Sequence, residues 1–179
     1  MKLRLSKRLR RAGSEEAMTL TEHLAELRSR VIRASLAVFN ENRALLRALK
    51  GVQRETPWKL AAHESYALLA VGGMIPREEH NDLLRTVLPL LEQRTARMHD
   101  RVRVVFEGGF CEQPPIDLLR AVGESCYVVD DDLLIGLRWI TTDVAADGDP
   151  LFNLADAYLN RSSYSPVQHD ARKPKERML

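Results

Sequence analysis

The sequence predicts an α/β chain, helical through its amino-terminal half and carrying an incomplete parallel sheet in the rest. Three observations support this. Apolar residues recur at spacings of three and four after a helix-capping signature at Thr19; β-branched and aromatic residues gather from Val102 onward; and two such runs flank a short helical stretch opened by prolines. With 179 residues, 45% hydrophobic and 29% charged, the chain suits one compact domain, and its composition excludes a wholly disordered protein. Its longest nearly apolar run, Tyr66 to Ile75, holds two glycines and falls far short of the roughly 20 residues that span a bilayer. A membrane protein is therefore not expected.

The elements follow in order. Thr19-Leu-Thr-Glu22 has the form of a capping box, in which hydroxyl and carboxylate satisfy the orphan amides of a helix start. From there Leu20, Leu24, Leu27, Val31, Ala34 and Val38 stack on one face, the expected core side, with Arg28, Arg30 and Arg33 off it. Gly51 is the expected stop. Thr56-Pro57 gives a second start, and Gly72-Gly73 its end. Pro76 opens a third helix with Glu78 and Glu79 in its first turn and a stripe of Leu83, Leu84, Val87, Leu88 and Leu91, which Pro89 should kink or end.

At Arg101 the character changes. Val102 to Phe106 reads as a strand running into Gly108-Gly109. Pro114-Pro115 opens a short helix through Ile116, Leu118, Leu119 and Val122, closed by Gly123, and Cys126 to Val129 is a second buried strand. A right-handed crossover would put both strands' carboxyl ends on one edge, where open α/β sheets bind ligands. The loops that leave that edge, Glu107 to Pro115 and Asp130 to Arg138, are thus the expected site. Asp149-Pro150 starts a last helix with Leu151, Leu154, Ala155, Tyr158 and Leu159 on one face; from Ser162 the tail reads as irregular.

The net charge of +2 hides an asymmetry, because Lys2, Arg4, Lys7, Arg8, Arg10 and Arg11 all precede the first acid, Glu15. Such a head could be a nucleic-acid arm, a targeting segment or an unstructured leader. The absence of an aromatic to stack on a base favours the leader, so no nucleic-acid partner is expected. Cys111 and Cys126 are the only cysteines and form no CxxC pair, so neither a disulfide framework nor a zinc signature is present, and a reducing cytoplasm fits best. His23, His63, His80, His99 and His169 lack ligand spacing and read as surface or polar-face residues. Phosphate-loop, dinucleotide-loop and nucleophile-elbow patterns do not occur.

Two constellations remain. Asp130, Asp131 and Asp132 at a strand end could hold a proton or a divalent cation, or could cap a turn, pair with Arg138 and meet solvent. Cys111 near a helix start could be an activated thiolate or metal ligand, or a small core residue; Cys126, inside a strand, reads as core.

Taken together, Gly108-Gly-Phe-Cys-Glu-Gln-Pro-Pro115, Asp130-Asp-Asp-Leu-Leu-Ile-Gly-Leu-Arg-Trp139, Gly148-Asp-Pro150 and Lys173-Pro-Lys175 resemble the 2-hydroxyglutaryl-CoA dehydratase component D family, and within it the catalytic subunits of benzoyl-CoA reductase, most of all its C subunits. Phe39-Asn-Glu-Asn-Arg43, Pro57-Trp58, Glu64-Ser-Tyr66 and Met74 to His80 resemble its preceding helical segment. The resemblance implies Rossmann-like α/β domains in a heterodimer with a sister catalytic subunit, holding 4Fe-4S clusters. An ATP-hydrolysing iron-sulfur activator would feed it low-potential electrons to dearomatise a benzoyl thioester in anaerobic aromatic catabolism. The dehydratase branch would instead remove water from a 2-hydroxyacyl-CoA. On this reading residues 1–18 are a basic, unstructured leader, 19–100 a helical segment and 101–179 part of a Rossmann-like domain.

The resemblance places Cys111, Glu112 and Gln113 from the first loop, and Asp131, Asp132 and Arg138 from the second, around an acyl-CoA crevice. Glu112 or an aspartate would donate a proton to the reduced ring, and Arg138 would orient a carboxylate or CoA phosphate. At Leu134 dehydratase-like members often carry cysteine, which leans the chain toward the reductase branch. The family's amino-terminal cysteine domain and its later Cys-Asp/Glu-Pro ligand have no counterpart. No metal ligand is thus expected beyond a weak candidacy of Cys111, and the chain reads as a fragment lacking both ends and doubtful as an enzyme alone.

Overall fold

A computed structural model describes residues 19–106, 114–131, 133 and 140–161. The expected leader, most of both loops and the tail lie outside them. In order come α1 (Leu20–Glu55), α2 (Ala62–Val71), α3 (Arg77–Gln93), β1 (Val102–Phe106), α4 (Ile116–Ser125), β2 (Cys126–Asp131) and α5 (Pro150–Asp156), which widens into a π-helical turn, Ala157–Arg161. The α/β class and the β-α-β unit are as expected. Among the described residues no helix is long and apolar enough to cross a membrane.

Helix α1 starts where the sequence places it. Glu22 N donates to Thr19 Oγ1 at 3.3 Å, and Thr19 N donates back to Glu22 Oε2 at 2.6 Å. It does not stop at Gly51. The following turn buries Gln53 completely, and the hydrogen bonds that Gln53 makes there hold one more turn of helix. Thr56 then closes α1, its amide and hydroxyl both donating to Val52 O, so it ends this helix and does not begin the next. Helix α2 begins at Ala62, where Glu64 Oε2 accepts from Ala61 N at 3.1 Å.

Pro89, expected to kink or end α3, does not end it, and Gly123 does not end α4. Helix α3 passes through Pro89 to Gln93, because Leu84 and Leu91 on either side of the proline are both in the core. Their burial offsets the backbone bond that proline cannot make. Helix α4 likewise passes Gly123 and ends at Ser125.

The core gathers Leu46 and Leu49 from α1, Leu60, Leu69 from α2, Leu84 and Leu91 from α3, and Ile140. The apolar stripe expected to face it does so only in part. Leu20, Leu24, Leu27 and Val31 are 56% to 75% exposed, and burial on α1 starts at Leu36. Roughly 24 Å of helix therefore precedes its first buried residue, at 1.5 Å per residue. The face expected on α5 is also open, since Leu151, Leu154, Tyr158 and Leu159 are all exposed.

Strands β1 and β2 pair in parallel, Val102 opposite Cys126 and Val104 opposite Val128. The register then slips, so that Val105 faces Asp130 and Phe106 faces Asp131. Val129 is the extra residue of a bulge. Bulges break strict alternation, and here Asp130 and Asp131 are both buried. Helix α1 packs on β2, and α4 packs on both β2 and α2. Both strands' carboxyl ends thus lie on one edge, beside the last turn of α1.

Candidate functional site

At that edge the last two turns of α1 meet the end of β2. Lys50 and Gln53, three residues apart, share one face of the helix. Lys50 Nζ donates to Asp131 Oδ2 at 2.8 Å and to Gln53 Oε1 at 3.1 Å, and pairs ionically with Asp130 Oδ1 at 3.0 Å. Gln53 Nε2 donates to Val128 O at 3.1 Å and to Asp131 Oδ2 at 3.2 Å, while its Oε1 also accepts from Ser65 Oγ at 2.7 Å. Arg54, at the surface, adds its guanidinium to Asp130 Oδ2. Asp130 Oδ1 further accepts from Asp131 N at 2.9 Å.

Lys50, Gln53, Ser65, Asp130 and Asp131 are all buried. A buried ionic group survives only when its partners are complete, and these are. The arrangement fixes where the chain leaves β2. Among the described residues, the cations that Asp130 and Asp131 meet come from α1, some 80 positions earlier in the chain; Arg138 lies outside the described residues. Neither Lys50 nor Gln53 was singled out by the sequence. The signal available was their position on the same helical face as Leu46 and Leu49, where polar residues interrupt an apolar stripe.

Of the residues expected around the crevice, Asp131 is described, and its carboxylate turns to Lys50 and Gln53. Cys111, Glu112, Gln113, Asp132 and Arg138, like Leu134, lie outside the described residues. Cys126 is half-buried, its thiol donating to Val122 O at 3.3 Å. Among the described residues no three His, Cys, Asp or Glu side chains group closely enough to hold a metal ion. They do not fit an iron-sulfur cluster, which commonly needs four thiolates.

A second buried polar group joins α1 to α3. His80, expected on a polar face, is fully buried. Its Nε2 donates to Leu68 O at 2.9 Å, and its Nδ1 accepts from Asn42 Nδ2 at 3.0 Å, an arrangement that requires the neutral ring. Asn42 also donates to Asn81 Oδ1 at 2.7 Å and accepts from Arg77 Nη1 at 3.0 Å. This satisfied network explains a buried imidazole that hydrophobic patterning could not reveal.

Burial lowers the His80 pKa from its ordinary value; the Leu68 carbonyl opposes this and the Arg77 charge adds to it. Below about pH 6.5 the unfolded chain takes up this proton before the folded one. The stability due to neutral His80 is complete above that pH and is lost as pH falls through the lower, folded pKa. The melting temperature of the protein should therefore drop on mild acidification, and His80→Asn should flatten that limb. Parallel Tm-against-pH curves between pH 5 and 8 would refute this. Glu64 acts in a separate, more acidic window: hydrogen bonds from Arg94 lower its pKa first of all, so its contribution is lost only as pH falls through that depressed value.

Comparison with known proteins matches residues 14–178 to the family described as 2-hydroxyglutaryl-CoA dehydratase, D-component. The chain is similar to the C subunit of benzoyl-CoA reductase from Thauera aromatica, 37% identical over 155 residues, covering 85% of this chain and 40% of that protein. It is also similar to the beta subunit of lactoyl-CoA dehydratase from Anaerotignum propionicum, 30% identical over 147 residues, covering 81% of this chain and 38% of that one. The chain thus spans about two-fifths of the length of these relatives. No solved structure matches it.

Proposed function

The chain belongs to the 2-hydroxyglutaryl-CoA dehydratase D-component family, and on that premise we propose that it is a segment of a benzoyl-CoA reductase catalytic subunit, the C subunit. The observation that carries the reading is the 37% identity to such a subunit, against 30% to the dehydratase subunit over a similar stretch. Leu134, where dehydratase-like members often carry cysteine, agrees with it. The reaction is reductive dearomatisation of a benzoyl thioester in the cytoplasm. The chain acts there with a sister catalytic subunit and an ATP-hydrolysing activator. Iron-sulfur chemistry comes from ligands other than the described residues.

In this reading the Lys50–Gln53–Asp131 lock fixes the start of the second crevice loop, which carries Asp132 and Arg138, while Cys111, Glu112 and Gln113 approach from the first. Glu112 gives a proton to the reduced ring and Arg138 orients a carboxylate or a CoA phosphate. A dry, closed crevice protects the radical intermediate from water. Residues 1–18, 19–100 and 101–179 serve as leader, helical segment and part of the Rossmann-like domain.

The match to the lactoyl-CoA dehydratase beta subunit keeps a 2-hydroxyacyl-CoA dehydratase as the second reading. Exposed apolar residues along α1 keep a third, a non-catalytic partner-binding protein. Assaying both thioester types in a complex reconstituted with the complete subunit separates the first two. Glu112→Gln in that complex should lower benzoyl-CoA reduction by about 100-fold or more, the usual scale of a lost general acid, with the cluster spectrum retained. Unchanged turnover removes Glu112 from the mechanism, and dehydration without ring reduction overturns the reductase reading.

A further inference from the structure

Apart from the strand edge, α1, the end of α2, the start of α3, Ile140 and α5 line a half-open cavity of about 860 Å³. Its wall is mainly apolar, with Leu36, Phe39, Leu69, Met74 and Ile140 among its side chains. Two guanidinium groups interrupt it, those of Arg43 and Arg77. A cavity of this size and kind, apolar with a few convergent polar groups, is the usual form of a small-molecule site.

Arg77 is held in place. Its plane lies over the Phe39 ring, 5.0 Å from the centroid. Its Nη1 donates to Asn42, which His80 and Asn81 fix in turn. Its Nε is buried and has no hydrogen-bond partner. Burial lowers the pKa of Arg77, and it is also the largest cause of the lowering at Arg43. Among the described residues the charges that bear on Arg43 are Arg47, Arg77, Arg161 and Asp143, and Arg43 Nη1 donates to Asn40 Oδ1 at 2.7 Å. Asp143 is itself engaged by Arg47, at 3.0 and 3.1 Å. A buried donor of Arg77 therefore remains unsatisfied beside an apolar space.

We propose that this cavity binds an apolar-bodied monocarboxylate, its chain along α1 and its carboxylate against Arg77. A planar carboxylate matches the two-pronged face of a guanidinium, and the hydrocarbon body matches the leucine, phenylalanine and methionine wall. The site does not depend on the chain's being a reductase segment. It uses none of the residues assigned to the acyl-CoA crevice.

The test is calorimetric titration of the purified full chain with decanoate and, separately, with decanol. Decanoate should bind with one-to-one stoichiometry and decanol at least about tenfold more weakly, since a charge-assisted bond is lost. Arg77→Gln should weaken decanoate by a similar factor and leave decanol unchanged. Should Arg77→Gln perturb the fold by circular dichroism, Met74→Glu serves instead. Met74 is 79% exposed at the cavity rim, so the new carboxylate should repel decanoate without disturbing the core. Equal affinity for acid and alcohol, unaltered decanoate affinity in both variants, or a chain that self-associates in sedimentation and takes up no decanoate would each overturn the proposal.

Discussion

Lys50→Met should cost about 3–5 kcal/mol of folding stability, the usual effect of leaving a buried charge without its partner. Methionine keeps most of the lysine's length and packing, so the loss reports the ammonium alone. Asp130 would keep Arg54, whereas Asp131 would keep only the amide of Gln53 and the backbone N of Leu133. With whole domains stable by roughly 5–15 kcal/mol, the variant would stand near its unfolding threshold. Adding Asp131→Asn to Lys50→Met should recover much of the loss, because the uncompensated carboxylate is then gone. Equilibrium urea unfolding of both single variants and the double measures the coupling. A Lys50→Met loss under about 1 kcal/mol would show that the pair is not stabilised through this cation.

Gly72→Ala should be destabilising by about 3 kcal/mol, at the upper end for an added methyl in a packed site. The backbone gives no reason for this, since Gly72 has φ −60° and ψ −16°, where alanine is ordinarily favoured. The reason is steric. A Cβ there would stand 2.5 Å from His80 Cε1 and 2.7 Å from His80 Nδ1. The ring cannot swing away without giving up its bonds to Leu68 and Asn42. Gly73→Ala is the internal control, because its Cβ would meet only Ala70 O at 3.4 Å. Thermal melts should separate the two neighbours by several degrees; equal Tm values would mean that His80 is free to move.

How much of this was legible in the sequence depends on whether the signal is local. The capping box at Thr19, the cap at Asp149, which accepts from Leu151 N and Phe152 N, and the two β-rich runs all speak through neighbours a few residues away, and each lies where expected. Gly51 did not stop α1, and Pro89 did not end α3, because tertiary contacts beyond them outweigh a local preference. The stripe from Leu20 to Val31 shows that periodicity finds an apolar face but says nothing about what covers it. The candidate site was half legible. Position along a parallel strand marked Asp130 and Asp131, but their partners Lys50 and Gln53 come from a distant helix, and a lysine in a sequence is ordinarily a surface residue. His80 was misplaced for the same reason: only the assembled carbonyl of Leu68 and amide of Asn42 make a buried imidazole stable.

Helix α1 can be regarded as a lever whose fulcrum is the leucine core at Leu46 and Leu49. From Leu46 the arm toward Leu20 is about 39 Å long, and the arm to Lys50 and Gln53 about 6–10 Å, at 1.5 Å per residue. A tilt that swings the free end by about 2 Å would, for a rigid rod of those proportions, displace the lysine and glutamine by only about 0.3–0.5 Å. The ratio runs in the protective direction. Whatever grips the projecting end of α1 is geared down before it reaches the aspartates at the strand edge, so that end can yield to a load while the ion-paired turn stays in register.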